Sequence, residues 1–111
     1  MNCVFCKIAN KQSAAEIIFE NDQLIVFEDI QPVAPVHVLI VPKKHISSIN
    51  HLENKDKQLI GELFLVAQEI AQKKKVAQTG YRLIFNVGQD AGQTVDHLHL
   101  HLIGGEKLPF A

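Results

Sequence analysis

Three histidines stand at alternate positions in the run Asp96-His97-Leu98-His99-Leu100-His101-Leu102. Successive side chains of a β-strand point to opposite faces. His97, His99 and His101 therefore share one face, and Leu98, Leu100 and Leu102 share the other. The imidazoles would lie in line at intervals of roughly 6.5–7 Å, with the leucines turned into a core. A lone histidine on a sheet is usually structural. Three on one face, backed by three leucines, are hard to explain by packing, and Lys or Glu would serve solubility better. Two chemistries suit the array. A neutral imidazole can attack an electrophile while a neighbour donates a proton or holds charge. Alternatively, the imidazoles can ligate a catalytic metal such as zinc. The loop just upstream, Gly92-Gln93-Thr94, bears on the choice. A glycine lets backbone N–H groups approach an anion, and such groups form phosphate-binding concavities. Thr94 adds a hydroxyl. This loop favours a phosphate ester or amide over carbon dioxide or a peptide.

The elements that must position these groups are legible in outline. Residues 3–10 suit one or two short helical turns. Ile17-Ile18-Phe19 and Leu24-Ile25-Val26-Phe27 are β-rich runs joined by the turn signal Asn21-Asp22, and so read as a hairpin. Residues 29–35, with Pro32 and Pro35, read as a loop. His37-Val38-Leu39-Ile40-Val41 is a third strand whose apolar run predicts burial on both faces. A long helix is expected over about residues 54–78. Leu59, Leu63, Ala67 and Ile70 form its apolar stripe, widened by Ile60, Phe64 and Ala71. Asn54 or Asp56 is placed to cap its start and Gly80 to end it in a left-handed conformation. Gly61 weakens this helix and suggests a close approach there. A fourth strand covers residues 81–87 and a fifth about 95–103. Strands, then helix, then strands predict an α+β domain with a largely antiparallel sheet.

The chain has 111 residues and 47% hydrophobic content, enough for one domain spanning 1–111. A formal net charge of −1 gives no general footprint for nucleic acid. The basic run Lys73-Lys74-Lys75 reads as a solvated helix end. No apolar stretch reaches 18 residues, so no membrane span is expected. The first residues lack the pattern of a secretory signal, which points to the cytoplasm. There, two cysteines are expected to be reduced or metal-bound rather than joined.

The segment from Gly92 to Leu102 resembles the signature of the histidine triad family, His-x-His-x-His followed by apolar residues. Phe27-Glu28-Asp29-Ile30, Ala34-Pro35-Val36-His37, Val41-Pro42-Lys43-Lys44-His45 and Phe85-Asn86-Val87-Gly88 are similar to the other family blocks, in order. The nearest branch is that of the purine nucleoside phosphoramidases. The resemblance implies a five-stranded, mainly antiparallel sheet with one long helix and a short N-terminal helix. It also implies hydrolysis of the P–N bond of purine nucleoside 5′-phosphoramidates, and of aminoacyl-adenylates, with no cofactor needed for catalysis. By that analogy His99 is the nucleophile, forming a nucleotidyl-imidazole intermediate. His101 holds a phosphate oxygen, His97 orients the array, and His37 supports the rings. Thr94 stands where the family commonly has serine and assists the leaving group. Asp29 would accept the ribose hydroxyls, Phe27 and Ile30 flank the base, and Asn86 bonds the ribose-phosphate region. The backbone from Gly92 through Gln93 to Thr94 would hold developing charge. The partner is then the AMP or GMP moiety of a substrate. A homodimer is expected through the long helix and the strand from Tyr81. The tail from Glu106 to Ala111 is short and lacks tryptophan, and in the family this tail shapes leaving-group preference.

Cys3-x-x-Cys6 on a helical turn places two thiols on one side. Two readings stand: a structural zinc site, or reduced thiols packed under the sheet. The resemblance to bacterial-type relatives implies the ligand set Cys3, Cys6, His45 and His97. His51, outside any motif, reads as a surface residue. Two alternatives to a metal-independent nucleotidyl hydrolase remain open: a zinc-dependent hydrolase using the triad as ligands, and a nucleotide-binding interaction protein.

Overall fold

The structure, a computed structural model, describes residues 3–110. Five strands form one sheet: β1 (Ile17–Glu20), β2 (Leu24–Glu28), β3 (Val36–Pro42), β4 (Tyr81–Ile84) and β5 (Leu100–Gly104). Their spatial order is β1-β2-β3-β5-β4, and every neighbouring pair is antiparallel. A short helix, α1 (Val4–Ala9), covers one face of the sheet, and a long helix, α2 (Lys57–Lys73), covers the other. The expected α+β class, strand pairing and helix content are thus observed.

Strict alternation builds the two layers. Leu24 and Val26 of β2 and Val38 and Ile40 of β3 pack in the core beneath α2. Ile25 and Phe27, with Leu39 and Val41, pack in a second core with Phe5 and Ile8 of α1. Every residue from 37 to 42 is buried, as the apolar run of β3 predicts. The β1–β2 turn is closed by the Asn21 Oδ1, which accepts from the amides of Gln23 (2.9 Å) and Leu24 (2.8 Å).

The long helix is shorter than its sequence suggests. Residues 54–56 form a 3₁₀ turn, and the α-helix itself starts at Lys57. Asp56 does not cap its own helix. Its buried carboxylate reaches back to the Glu53 amide (2.9 Å) and pairs with Lys44 (2.6 Å). The other end stops at Lys73, seven residues before Gly80. Lys75 takes the left-handed conformation, at φ +62°. The Lys75 amide bonds Gln72 and the Val76 amide bonds Ala71, while the Val76 side chain is buried. That hydrogen-bond pattern with its apolar anchor closes the helix without a glycine. Of the triple lysine, Lys74 pairs with Glu28 and Lys73 lies over the Phe19 ring, so these two are not simply solvated. Val66 joins the buried stripe, whereas Phe64 points outward and meets Phe85 at 6.1 Å. A Cβ on Gly61 would find nothing within 4 Å, so no close approach explains that glycine.

The fourth strand ends at Ile84 rather than residue 87, and the fifth starts only at Leu100. The late start has a physical cause. The β3–β5 ladder stops at Ile40–Leu100, and the next positions of β3 lead to Pro42, which has no N–H to donate. Residues 93–99 are held instead by separate bonds. The Gln93 side-chain amide donates to the Ser47 carbonyl (2.7 Å), and the Leu98 amide donates to the Ile46 carbonyl (2.6 Å). His97 and His99 therefore precede the strand, and only His101 belongs to it.

Candidate active site

The three leucines do turn inward. Leu98, Leu100 and Leu102 are buried under α2 with Leu63, Val66 and Ile70. The histidines turn the other way, toward α1. Register fixes this for His101, which pairs with Leu39 on the α1 face. The rings do not line up on one pocket, however. They divide between two sites.

His99 and His101 line a cavity of ≈ 420 Å³ between α1, the β2 end and the loop before His97. Phe27, Asp29, Ile30 and Thr94 line it too. The hydrogen bonds assign opposite roles to the two imidazoles. The Nδ1–H of His99 donates to the His97 carbonyl at 2.7 Å. Its Nε2 at the far end of the ring then carries the lone pair. The chain of inference for His101 starts at a backbone amide. The Val33 N–H donates to Nδ1 of His37 (3.1 Å), so neutral His37 carries its proton on Nε2. That proton points at Nδ1 of His101, 2.9 Å away, with the Asp29 Oδ2 at 3.2 Å. His101 thus accepts at Nδ1 and keeps its own proton on Nε2. A lone pair on one ring stands beside an N–H donor on the next, with ring centroids 5.0 Å apart.

Electrostatics keep both rings neutral. Burial pushes the pKa of His99 below its usual value, against the opposing pull of the His97 carbonyl and the Asp29 charge. Burial, then the proximity of His99 and His37, lowers His101 to about 4. Neutral imidazole is the nucleophilic form.

His97 is fully buried and lies outside the cavity lining. Its Nε2–H donates to the Pro42 carbonyl at 2.7 Å, which leaves the lone pair on Nδ1. That nitrogen lies 3.2 Å from the Cys3 Sγ and 3.5 Å from the Cys6 Sγ, and Cys6 lies 3.3 Å from Nδ1 of His45. All four atoms fall within 4.8 Å of one another. A tetrahedral zinc with bonds of about 2.0–2.3 Å separates its ligand atoms by roughly 3.3–3.8 Å. The two thiols, the aimed lone pair of His97, the nearby Nδ1 of His45 and these spacings fit such an ion. The oriented N–H of His97, held by a carbonyl, is the usual support for a ligating imidazole. Asp29, His37 and His101 also converge. The amide donated into Nδ1 of His37 nevertheless commits its Nε2 to a proton, so that group is a hydrogen-bond chain.

Other expected residues fall elsewhere. The amides of Gly92 and Gln93 donate to the carbonyls of Gln89 and Gly88, closing a 3₁₀ turn that Gly92 ends in a left-handed conformation. Gln93 also binds Ser47, Val95 and Gly88 through its side chain. Both residues secure the loop, and Thr94 is the member of the trio that reaches the cavity. Asn86 does not line it. His51 is exposed and bonded to Ser48 at 2.9 Å. Phe5, not anticipated from sequence, is 6% exposed and presents its ring to His99 at 5.0 Å and to Phe27 at 5.5 Å. The apolar pair Phe5 and Ile8, three residues apart beside the cysteines, is the signal that would have found it.

Comparison with known proteins agrees with this architecture. Residues 2–109 match the family model described as the scavenger mRNA decapping enzyme C-terminal binding domain. An uncharacterized HIT-like protein of Buchnera aphidicola (from Acyrthosiphon pisum) is 42% identical over 107 residues, covering 96% of this chain and 94% of that protein. A HIT family hydrolase from Legionella pneumophila superposes with a TM-score of 0.97 at 44% identity, over 98% of this chain and 97% of that one. A zinc-bound histidine triad family protein from Mycobacterium smegmatis superposes at 0.82 with 31% identity, over 99% and 81%. Motif, fold and relatives coincide: this chain belongs to the histidine triad family.

Proposed function

We propose that the protein hydrolyses the P–N bond of purine nucleoside 5′-phosphoramidates, and of aminoacyl-adenylates the mixed anhydride, through a nucleotidyl-His99 intermediate. The observation that carries this reading is the pairing of opposite tautomers: a lone pair on Nε2 of His99 beside a proton on Nε2 of His101, in one cavity. An electrophile with negatively charged oxygens is the partner that uses both.

In the first half-reaction Nε2 of His99 attacks the α-phosphorus. An N–P bond forms and the bond to the amine breaks, with the electron pair leaving on the amine. The Nε2–H of His101 donates to a phosphoryl oxygen as charge develops. The Thr94 hydroxyl relays a proton to the departing amine. Water then attacks phosphorus, the imidazole leaves, and the mononucleotide is released. Asp29 accepts the ribose hydroxyls, and Phe27 and Ile30 flank the base. The His97 carbonyl fixes the tautomer of His99. Cys3, Cys6, His45 and His97 would hold a zinc ion, which supplies a crosslink rather than a reactive water, since four protein ligands close its coordination. Phe64 and Leu65 expose apolar surface on α2, and β4 is an edge strand. A second copy of the chain pairing β4 with β4 would cover both.

The test is rapid quenching of the protein with an adenosine phosphoramidate, followed by mass detection. A nucleotidyl adduct on His99 that forms and decays within a turnover is expected. Turnover without an adduct, or undiminished turnover by His99→Gly, would overturn the assignment. Retained turnover after chelation of a still-folded protein separates this chemistry from a zinc hydrolase. Sedimentation of the wild type against Phe64→Glu reads the dimer.

A further inference from the structure

One short element touches both sites. Helix α1 supplies Cys3, as its N-cap, and Cys6 to the thiol–imidazole cluster. From the same turns, Val4, Phe5 and Ile8 form a wall of the cavity. Phe5 lies between the sites, with its ring 5.9 Å from His97 and 5.0 Å from His99. A six-residue helix is far too short to persist alone, because nucleation costs more than its few hydrogen bonds return. Its position therefore depends on tertiary contacts. Two of these are apolar, Phe5 and Ile8 against Ile25, Phe27, Leu39 and Val41. The others are the two sulfurs, which face His45 and His97 on the α1 side of the sheet.

We propose that α1 is a metal-fastened wall of the cavity: Cys3 and Cys6 tie it to His45 and His97, and Phe5 carries the tie to the nucleotide and to the His99 ring. The thiol cluster then serves as a site that sets nucleotide affinity, beyond holding the chain together. The nucleotide part of this inference rests on the function proposed above, whereas the fastening of α1 does not. Because coupling between two binding sites is reciprocal, a bound nucleotide must tighten metal binding by the factor that metal tightens nucleotide binding.

Two measurements on the full chain decide it. Amide exchange is followed with zinc loaded and after chelation, under conditions where far-UV dichroism shows the sheet and α2 intact. Faster exchange across residues 4–9, with the β3–β5 ladder unchanged, is expected on zinc removal. Equal protection of α1 in both states overturns the proposal. AMP affinity is then measured by calorimetry in both states, for wild type and for Phe5→Leu. Zinc removal should weaken AMP binding to the wild type by about tenfold, within the usual range of coupled sites. In Phe5→Leu the metal dependence should largely vanish, because the connecting ring is gone. An undiminished metal dependence in Phe5→Leu, or none in the wild type, refutes the role of Phe5. If AMP fails to bind even the zinc-loaded protein, the nucleotide reading above is wrong, and amide exchange alone decides the fastening of α1. Cys3→Ser with Cys6→Ser should reproduce the chelated wild type in both measurements.

Discussion

Positions 97 and 101 carry the same side chain four residues apart, yet the fold uses them for opposite purposes. His97 is sealed, spends its N–H on the Pro42 carbonyl, and aims a lone pair at two sulfurs. His101 is only partly buried, receives a hydrogen bond at Nδ1, and aims an N–H at a cavity. Between them, His99 bonds backward to the first site through the His97 carbonyl and faces the second. The difference teaches that the chemistry of an imidazole is set by which nitrogen is already satisfied. A carbonyl at Nε2 leaves the lone pair on Nδ1, a carbonyl at Nδ1 leaves it on Nε2, and a donor at Nδ1 puts the proton on Nε2.

If the division is real, substitutions on the two sides must separate activity from metal binding. The largest effect belongs to His99. His99→Gly should lower kcat on the order of 10⁴-fold or more, as removal of a nucleophile does, while zinc stoichiometry stays at one per chain. Loss of zinc in that variant would show that the sites are not distinct. On the thiol side, the stability of the wild type should track free zinc. At a thousandfold excess over Kd the native state gains about 4 kcal/mol, read as a rise in the unfolding midpoint. His101→Asn should keep that dependence, and Cys6→Ser should lose it. Next comes His37, whose Nε2–H sets the proton on His101. His37→Ala should reduce kcat by roughly 10²-fold with little change in zinc affinity. An unchanged kcat would break the tautomer argument.

The smallest expected effect is a pH dependence, and its sign follows from His101. Folded, this group is held at about 4, against an ordinary value of 6.5. Between those values the unfolded chain binds a proton that the folded chain does not. Acidification therefore favours unfolding. The contribution is whole above pH 6.5 and is lost as the pH falls toward 4. Urea midpoints for wild type and His101→Phe should converge in shape above pH 6.5 and diverge below it, the wild type falling more steeply. Parallel profiles would show that the ring is not held neutral by burial.

Much of this was legible beforehand. Alternation of His and Leu announced which side chains turn inward, and Leu98, Leu100 and Leu102 do so. Composition placed Asn21 at a turn and an apolar run in β3, and both hold. Less legible were the ends of elements. The fifth strand begins at Leu100 because a proline on the neighbouring strand withholds a donor, which is a fact about pairing and not about residues 95–99 themselves. Helix α2 stops at Lys73, well before Gly80, because burial of Val76 anchors a left-handed Lys75 just beyond it.

By itself, then, the order of residues determined the sheet's two faces, the antiparallel α+β plan and the side chains able to do chemistry, because alternation and burial act over a few neighbours. Only the tertiary structure decided that the three rings serve two sites, that Gly92 and Gln93 secure a loop, and that Phe5 stands between cavity and thiols. Those outcomes depend on groups that arrive from far along the chain, as the Pro42 carbonyl and the Cys3 sulfur do at His97 and the Ser47 carbonyl does at Gln93, and no local pattern encodes such a meeting.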